Sequence, residues 1–147
     1  MNYGRILIVT DDKVTAHLVR YYLEKAGYQV WVAHPEETAL CAIRREKPNL
    51  VVLDLMFLDG DGLEITRTIR QDACLFRLPI IVLGVWAMAP DISIALDTGA
   101  DDYVTRPFTP RELVARVGAV LRRCCREEAL NPQHGILQIS SVQKEIP

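Results

Sequence analysis

Asp54 closes an unbroken apolar run, Leu50-Val51-Val52-Leu53, and the glycine-rich turn Leu58-Asp59-Gly60-Asp61-Gly62 follows it. Asp11 and Asp12 stand just beyond a second run, Ile6-Leu7-Ile8-Val9, with Thr10 between. A carboxylate is a hard oxygen ligand and also a nucleophile toward phosphorus. Acids delivered by two strands to one crevice therefore suit a divalent cation or a transferable phosphoryl group. The plainer alternative is a set of turn and cap residues. Asp12, where the chain leaves the strand, is of the type that caps a helix N-terminus.

These acids meet only if both runs are strands ending at the same edge. Short apolar, β-branched runs read as parallel strands buried on both faces. In an open α/β sheet the carboxyl ends of such strands line the ligand crevice. Strand and helix signals alternate five times along the chain. After Ile6–Val9, the residues Val14, Leu18, Tyr21, Tyr22 and Ala26 recur at helical spacing, and Gly27 supplies a C-terminal cap. Tyr28, Val30 and Val32 form the next strand, and Ala39, Leu40 and Ile43 mark a helix that stops before Pro48. Leu50–Leu53 is the central strand, and Leu63, Ile65 and Ile69 carry the helix after the glycine turn. Pro79 opens the strand Ile80–Leu83, a short helix falls within Asp91–Thr98, and Tyr103-Val104-Thr105 is the last strand. Thr109-Pro110-Arg111-Glu112 combines an N-cap threonine, a first-turn proline and a capping-box glutamate, and predicts a helix to about Arg123. Five βα units point to a doubly wound α/β sheet.

The chain of 147 residues suffices for one domain with a core and a short appendage. Half of the residues are hydrophobic and 24% are charged, which excludes a disordered chain. A net charge of −2 and a pI near 5.9 argue against gripping nucleic acid through a basic surface. No apolar stretch approaches the length of a membrane span and no signal-peptide pattern opens the chain, so a cytoplasmic protein with no membrane partner is expected. Cys41, Cys74, Cys124 and Cys125 lack metal-ligand spacing, and the vicinal pair reads as reduced thiols. Residues 127–134 read as a linker with a turn at Asn131-Pro132, and Gly135–Ile139 as a small strand that cannot fold alone.

Three features together resemble a response-regulator receiver domain. They are Asp54 with Gly62 downstream, the element Gly99-Ala100-Asp101-Asp102-Tyr103-Val104-Thr105-Arg106-Pro107-Phe108, and the acid cluster after the first strand. The likeness covers residues 4–123. Arg111-Glu112-Leu113-Val114-Ala115-Arg116 through Arg122-Arg123 looks like the last helix of the OmpR/PhoB-type, winged-helix subfamily. His134-Gly135-Ile136-Leu137-Gln138-Ile139 looks like the opening strand of that subfamily's DNA-binding domain.

The resemblance implies a receiver at 1–123 and a linker at 124–134. At 135–147 it implies the start of a truncated DNA-binding domain or a C-terminal tail. It also implies a flavodoxin-like (βα)5 sheet in order 2-1-3-4-5 and a cis Arg106-Pro107 bond. Asp54 would accept a phosphoryl group from a sensor histidine kinase, helped by Mg2+. The direct ligands of that ion would be Asp11, Asp54 and the backbone carbonyl of Met56, with Asp12 as an additional candidate. Tyr103 aligns with the family's rotating switch aromatic, plain packing being the alternative. The face built by Asp91–Thr98, the Tyr103 strand and the last helix resembles the subfamily's dimerisation face. It carries Ile92, Ile94, Asp97, Asp102, Glu112 and Arg116 and implies a homodimer, with DNA contacted only through a domain outside this chain.

Departures from the pattern cluster at the site. Thr10 stands where the first of two adjacent acids is usual, in the register Val9-Thr10-Asp11. Gly84 replaces the Thr or Ser that binds the phosphoryl group, and bulky Trp86 follows soon after. Arg106 replaces the lysine before Pro107. A hydroxyl bonded to a charged group contributes about 1.5–3 kcal/mol, so its loss at Gly84 weakens phosphoryl-driven switching by roughly 10- to 150-fold. Arg106 keeps the charge but presents a planar fork that can pair with Asp54 bidentately. One acid fewer lowers the demand for a cation, since like charges ~4 Å apart repel by about 4 kcal/mol at an effective dielectric of 20.

The resulting expectation is a signalling receiver, not an enzyme, that controls transcription under weak or absent phosphoryl control. An ordinary receiver phosphorylated at Asp54 is the alternative. A small phosphatase of the haloacid-dehalogenase type would want Asp-x-Asp, and Asp54-Leu55-Met56 lacks the second acid. A flavodoxin-like FMN module would want a Ser/Thr/Gly phosphate loop after the first strand, where this chain has none.

Overall fold

A computed structural model of the chain describes residues 4–33, 38–55, 62–84 and 89–130, of which 89–92 and 125–130 by backbone alone. Ten elements alternate: β1 (Arg5–Val9), α1 (Lys13–Lys25), β2 (Gln29–Val32), α2 (Ala39–Glu46), β3 (Leu50–Asp54), α3 (Gly62–Gln71), β4 (Ile80–Gly84), α4 (Ala89–Thr98), β5 (Asp102–Thr105) and α5 (Pro110–Leu130). The strands form one parallel sheet in the order β2-β1-β3-β4-β5. The chain reverses direction across the sheet between β1 and β3, the place where an open α/β sheet opens its crevice.

Helices cover both faces, so the central strands are apolar on both sides, and every residue of β3 and β4 is buried. Leu7, Val9, Val51, Leu53, Ile80 and Val82 pack with α2, α3 and α4 residues, among them Ile43, Ile69 and Ala95. The alternate strand residues Ile6, Ile8, Leu50, Val52, Ile81 and Leu83 pack with Val19 and Leu23 of α1 and Leu113, Val117 and Val120 of α5. Full burial of one such side chain is favourable by about 1.5–3 kcal/mol, which fixes strand register because a one-residue slip would exchange the faces.

Local signals set the ends of the helices. The Asp12 side chain accepts from the Val14 amide at 3.1 Å, and the Thr38 and Thr109 hydroxyls accept from the amides of Cys41 (3.1 Å) and Glu112 (3.0 Å). Gly27, at φ 107°, follows the C-cap Ala26 in the left-handed region that a β-carbon disfavours.

Two sequence expectations need correction. The stripe Val14, Leu18, Tyr21 does not face the core: these residues are 74%, 38% and 53% exposed, while Thr15, Val19 and Leu23 are buried. The cap at Asp12 sets the helix phase, and Thr15 turns inward toward the acid cluster, which rotates the apolar-looking stripe outward. The last helix continues past Arg123 to Leu130. Residues 124–130 hold no breaker before Asn131-Pro132, and Arg, Glu, Ala and Leu are good helix formers. The small strand read at Gly135–Ile139 lies outside the described residues. Among the described residues no helix is long and apolar enough to cross a membrane.

Candidate functional site

β1 and β3 are in register with Val9 opposite Leu53, so the next step sets Thr10 beside Asp54 at the carboxyl edge. Both are buried, Asp54 at 1% exposure and Thr10 at 3%. The Thr10 hydroxyl donates to Asp54 Oδ2 at 2.6 Å and accepts from the Asp12 amide at 3.1 Å. The hydroxyl thus joins the carboxylate to the first turn of α1. Asp12 bonds away from Asp54: its Oδ2 accepts from the Thr15 hydroxyl at 2.7 Å. That bond foremost holds the Asp12 carboxyl below its ordinary value; burial opposes it, and the Val14 and Thr15 amides and the Arg106 charge add to the lowering. Asp11 is solvent-exposed at the same edge.

β5 supplies the cation. Arg106 follows it, with the Arg106-Pro107 bond cis, and Nη2 donates to the same Asp54 Oδ2 at 2.8 Å. The same nitrogen lies 3.4 Å from the Thr15 hydroxyl. Nη1 takes no part in the grip: it is buried without a hydrogen-bond partner among the described residues. One carboxylate oxygen therefore carries a hydroxyl and a guanidinium, both charge-assisted and short. This arrangement pairs a buried aspartate with a cation and keeps one spare donor beside it.

Residues 6–118 match the family model of the response regulator receiver domain. The chain belongs to that family. Over 119 residues this receiver is 44% identical to the alkaline phosphatase synthesis transcriptional regulatory protein PhoP of Bacillus subtilis, which covers 81% of this chain. The receiver spans about half (49%) of that relative's length. Among solved structures it resembles the receiver domain of the Francisella response regulator 1452, with TM-score 0.73, 29% identity and coverage of 82% of this chain and 98% of that one. A two-component response regulator from Clostridium difficile is similar at TM-score 0.71 and 32% identity, covering 81% and 96% of the two chains.

The receiver's other expected positions divide sharply. Asp54, Thr10 and Arg106 come together; Gly84 ends β4 one residue beyond Leu83, the register partner of Asp54. Met56 and Trp86 lie outside the described residues. Among the described residues no group of three His, Cys, Asp or Glu side chains gathers as a metal site. Among the described residues the carboxylates left at this edge are Asp11 and Asp54, since Asp12 serves as the α1 cap, and Thr10 adds no charge. This donor set is poorer than three clustered acids, and Arg106 already neutralises Asp54.

Tyr103 is buried at 8% exposure and packs with Ala95 and Ala100. On the α4 face Ile94 is 50% exposed and Asp97 is exposed; the Ile92 side chain is outside the description. Asp102 and Arg116 pair within the chain, Nη1 donating to Oδ2 at 3.0 Å, and Arg116 Nε also donates to Glu112 at 3.2 Å. The hydrogen bond to Asp102 foremost holds the Arg116 guanidinium above its ordinary value.

Sequence reasoning treated Thr10 only as a lost charge and did not single out Thr15. A small hydroxyl residue beside a buried strand end, five residues before a second one in the following helix turn, was the available signal for Thr15 and its cap.

Proposed function

We propose that this receiver answers phosphoryl transfer weakly because Arg106 already serves as the counter-cation of Asp54. The observation that carries the reading is the 2.8 Å contact of Nη2 with an Asp54 carboxylate that is 1% exposed. A paired, hydrogen-bonded carboxylate oxygen is a poorer nucleophile, and the guanidinium stands where an incoming phosphoryl oxygen would need room. Mg2+, which receiver domains bind at the phosphorylation site, would be held here by Asp11 and Asp54, with the Met56 carbonyl as third protein ligand. With two carboxylates its affinity is millimolar in order, the regime of weakly charged, water-rich sites.

Incubation with acetyl phosphate or phosphoramidate and Mg2+, followed by intact-mass measurement, tests the reading. Slow, partial phosphorylation is expected, abolished in Asp54→Asn and faster in Arg106→Lys, whose compact ammonium frees the carboxylate. Rapid stoichiometric phosphorylation of the wild type, no faster in Arg106→Lys, removes the reading. One observation favours the second reading, an ordinary receiver phosphorylated by a histidine kinase: Arg106 Nη1 is a buried donor without a partner among the described residues, and a phosphoryl oxygen would satisfy it.

The domain plan proposed is a receiver at 1–123, a linker at 124–134 and the opening of a DNA-binding domain at 135–147, in a cytoplasmic regulator of transcription. The PhoP relative, a transcriptional regulatory protein of which the match spans 49%, supports this plan. A linker that begins as the continuation of α5 would couple receiver and DNA-binding domain through a rigid segment. We also propose a homodimer through α4, β5 and α5. Because Asp102, Glu112 and Arg116 satisfy one another within the chain, apolar contact at Ile94 and Leu96 carries more of it than ion pairs do, and salt weakens it little. Sedimentation checks this: a dimer without phosphate and a monomer for Ile94→Asp are expected.

A further inference from the structure

Gly84 and Tyr103 face each other across β4 and β5, whose register sets Val82 opposite Tyr103 and Gly84 opposite Thr105. The phenol runs along the strand toward the carboxyl edge. A β-carbon built on Gly84 would lie 1.9 Å from Tyr103 Oη, 2.3 Å from Cζ and 2.7 Å from Cε1. Non-bonded carbons meet at about 3.5–4.0 Å, so the end of the phenol occupies the volume that any side chain at position 84 would take. Backbone geometry does not require the glycine, because Gly84 is not among the positive-φ glycines Gly4, Gly27 and Gly99. What matters at this position is the missing side chain.

The consequence reaches beyond the site. Tyr103 is 8% exposed and belongs to the same packed cluster as Val82, Ala95 of α4 and Ala100. The small residues Ala95 and Ala100 receive the ring, and Gly84 receives its hydroxyl end. A ring that left this place would give up its burial in that cluster. It also gains nothing by leaving, because no side chain at position 84 competes for its place.

We infer that Gly84 and Tyr103 form a size-matched lock that keeps the phenol inside and holds the α4–β5 face in one arrangement whatever the state of Asp54. Residue 84 is here a positioning residue: it acts through Tyr103. The inference deepens the phosphoryl-poor reading of the same site and rests on it only for the role of Asp54. It also changes the outlook for restoring a hydroxyl at position 84. Gly84→Thr would first have to evict the tyrosine.

The test uses the full chain labelled with 3-fluorotyrosine. The chain has five tyrosines, and Tyr103→Phe identifies the relevant 19F resonance. In the wild type that resonance should be single, insensitive to exchange of H2O for D2O, and unmoved by Mg2+ with beryllofluoride, a phosphoryl analogue for Asp54. In Gly84→Ala it should shift and acquire a solvent isotope shift. A solvent-sensitive resonance in the wild type, a resonance that moves with beryllofluoride, or an unmoved one in Gly84→Ala overturns the lock.

Should Gly84→Ala be too unstable to study, melting temperatures decide. Gly84→Ala lowers Tm, and adding Tyr103→Leu, which vacates the contested volume, recovers most of the loss. Additive losses overturn the lock. Intact-mass measurement on the same samples keeps the two ideas apart. Full phosphorylation with an unmoved Tyr103 sinks the phosphoryl-poor reading and upholds the lock, whereas an exposed Tyr103 with poor phosphorylation sinks the lock alone.

Discussion

Two arginine–aspartate pairs sit at opposite edges of the sheet and are built on different principles. At the amino edge Arg70 donates to Asp101 Oδ2 at 3.0 Å, and also to the carbonyls of Gly99 (2.9 Å), Leu78 (2.6 Å) and Phe76 (3.3 Å). Asp101 Oδ2 accepts in addition from the Ile80 amide at 2.8 Å. Gly99, at φ 127°, has no side chain to obstruct this: a β-carbon there would come within 2.7 Å of Arg70 Cγ. At the carboxyl edge Arg106 bonds Asp54 through one nitrogen and leaves Nη1 without a partner among the described residues. In the first pair every guanidinium nitrogen donates, which ties α3 to the starts of β4 and β5. The second leaves a buried donor unused beside a buried carboxylate.

Burial ranks the cost of breaking each pair in a way that contact number does not. Asp54 is 1% exposed and cannot recruit water if its partner is lost, whereas the Asp101 side chain is 26% exposed and can. Arg106→Met should therefore have the largest effect, about 3 kcal/mol in metal-free urea unfolding, the lower end for stranding a buried charge because Thr10 still donates to it. Millimolar Mg2+ should recover part of this loss, since an ion that binds only the folded state stabilises it. A loss unchanged by Mg2+ would break the comparison. Arg70→Met should cost less, about 2 kcal/mol by the same measurement, with no recovery in Mg2+, since the freed carbonyls and Asp101 take up water. The opposite ranking of the two variants would show that contact number outweighs burial here.

Thr10→Val sharpens the carboxyl-edge side of the comparison. It removes a charge-assisted bond to Asp54 and the acceptor of the Asp12 amide, and about 1.5 kcal/mol of stability should go with it. The smallest effect belongs to Asp12→Ala, about 1 kcal/mol for a lost N-cap. Its pH dependence carries the sign. The Asp12 carboxyl lies below its ordinary value in the folded chain, chiefly through Thr15, so its stabilisation is complete above the unfolded value of about 3.9 and fades as pH falls through the lower folded one. The difference in unfolding free energy between wild type and Asp12→Asn, which cannot titrate, should be flat above pH 5 and change only in acid. A change near neutrality would assign the carboxyl a different partner.

Strand identity and the edge at which the acids gather were legible in the residues, and strand order followed from the family resemblance. Leu50–Asp54 and Ile80–Gly84 are apolar on both faces because helices cover both faces, and period and length alone say so. Helix caps at Asp12, Thr38 and Thr109 are local events, and of these Asp12 and Thr109 were readable from side-chain type within four residues. The orientation of α1 was not legible, because two apolar stripes one residue apart compete on it and only packing against the sheet and α5 chooses between them. Nor was the end of α5, since residues 124–130 form helix well and read equally well as a polar linker.

The site divides along the same line. That Asp54, Arg106, Gly84 and Thr10 belong together followed from the family resemblance, which aligned them with the site. What each does to the others depended on distances across strands 44 to 52 residues apart in sequence. Only tertiary structure could place a threonine hydroxyl and one guanidinium nitrogen on the same carboxylate oxygen. It alone could seat the hydroxyl end of Tyr103 in the space left by Gly84. Sequence carries the short-range physics of propensity, capping and hydrophobic period. Which distant groups compete for one oxygen or one small volume is decided when the chain closes on itself, because packing permits a single occupant at each place.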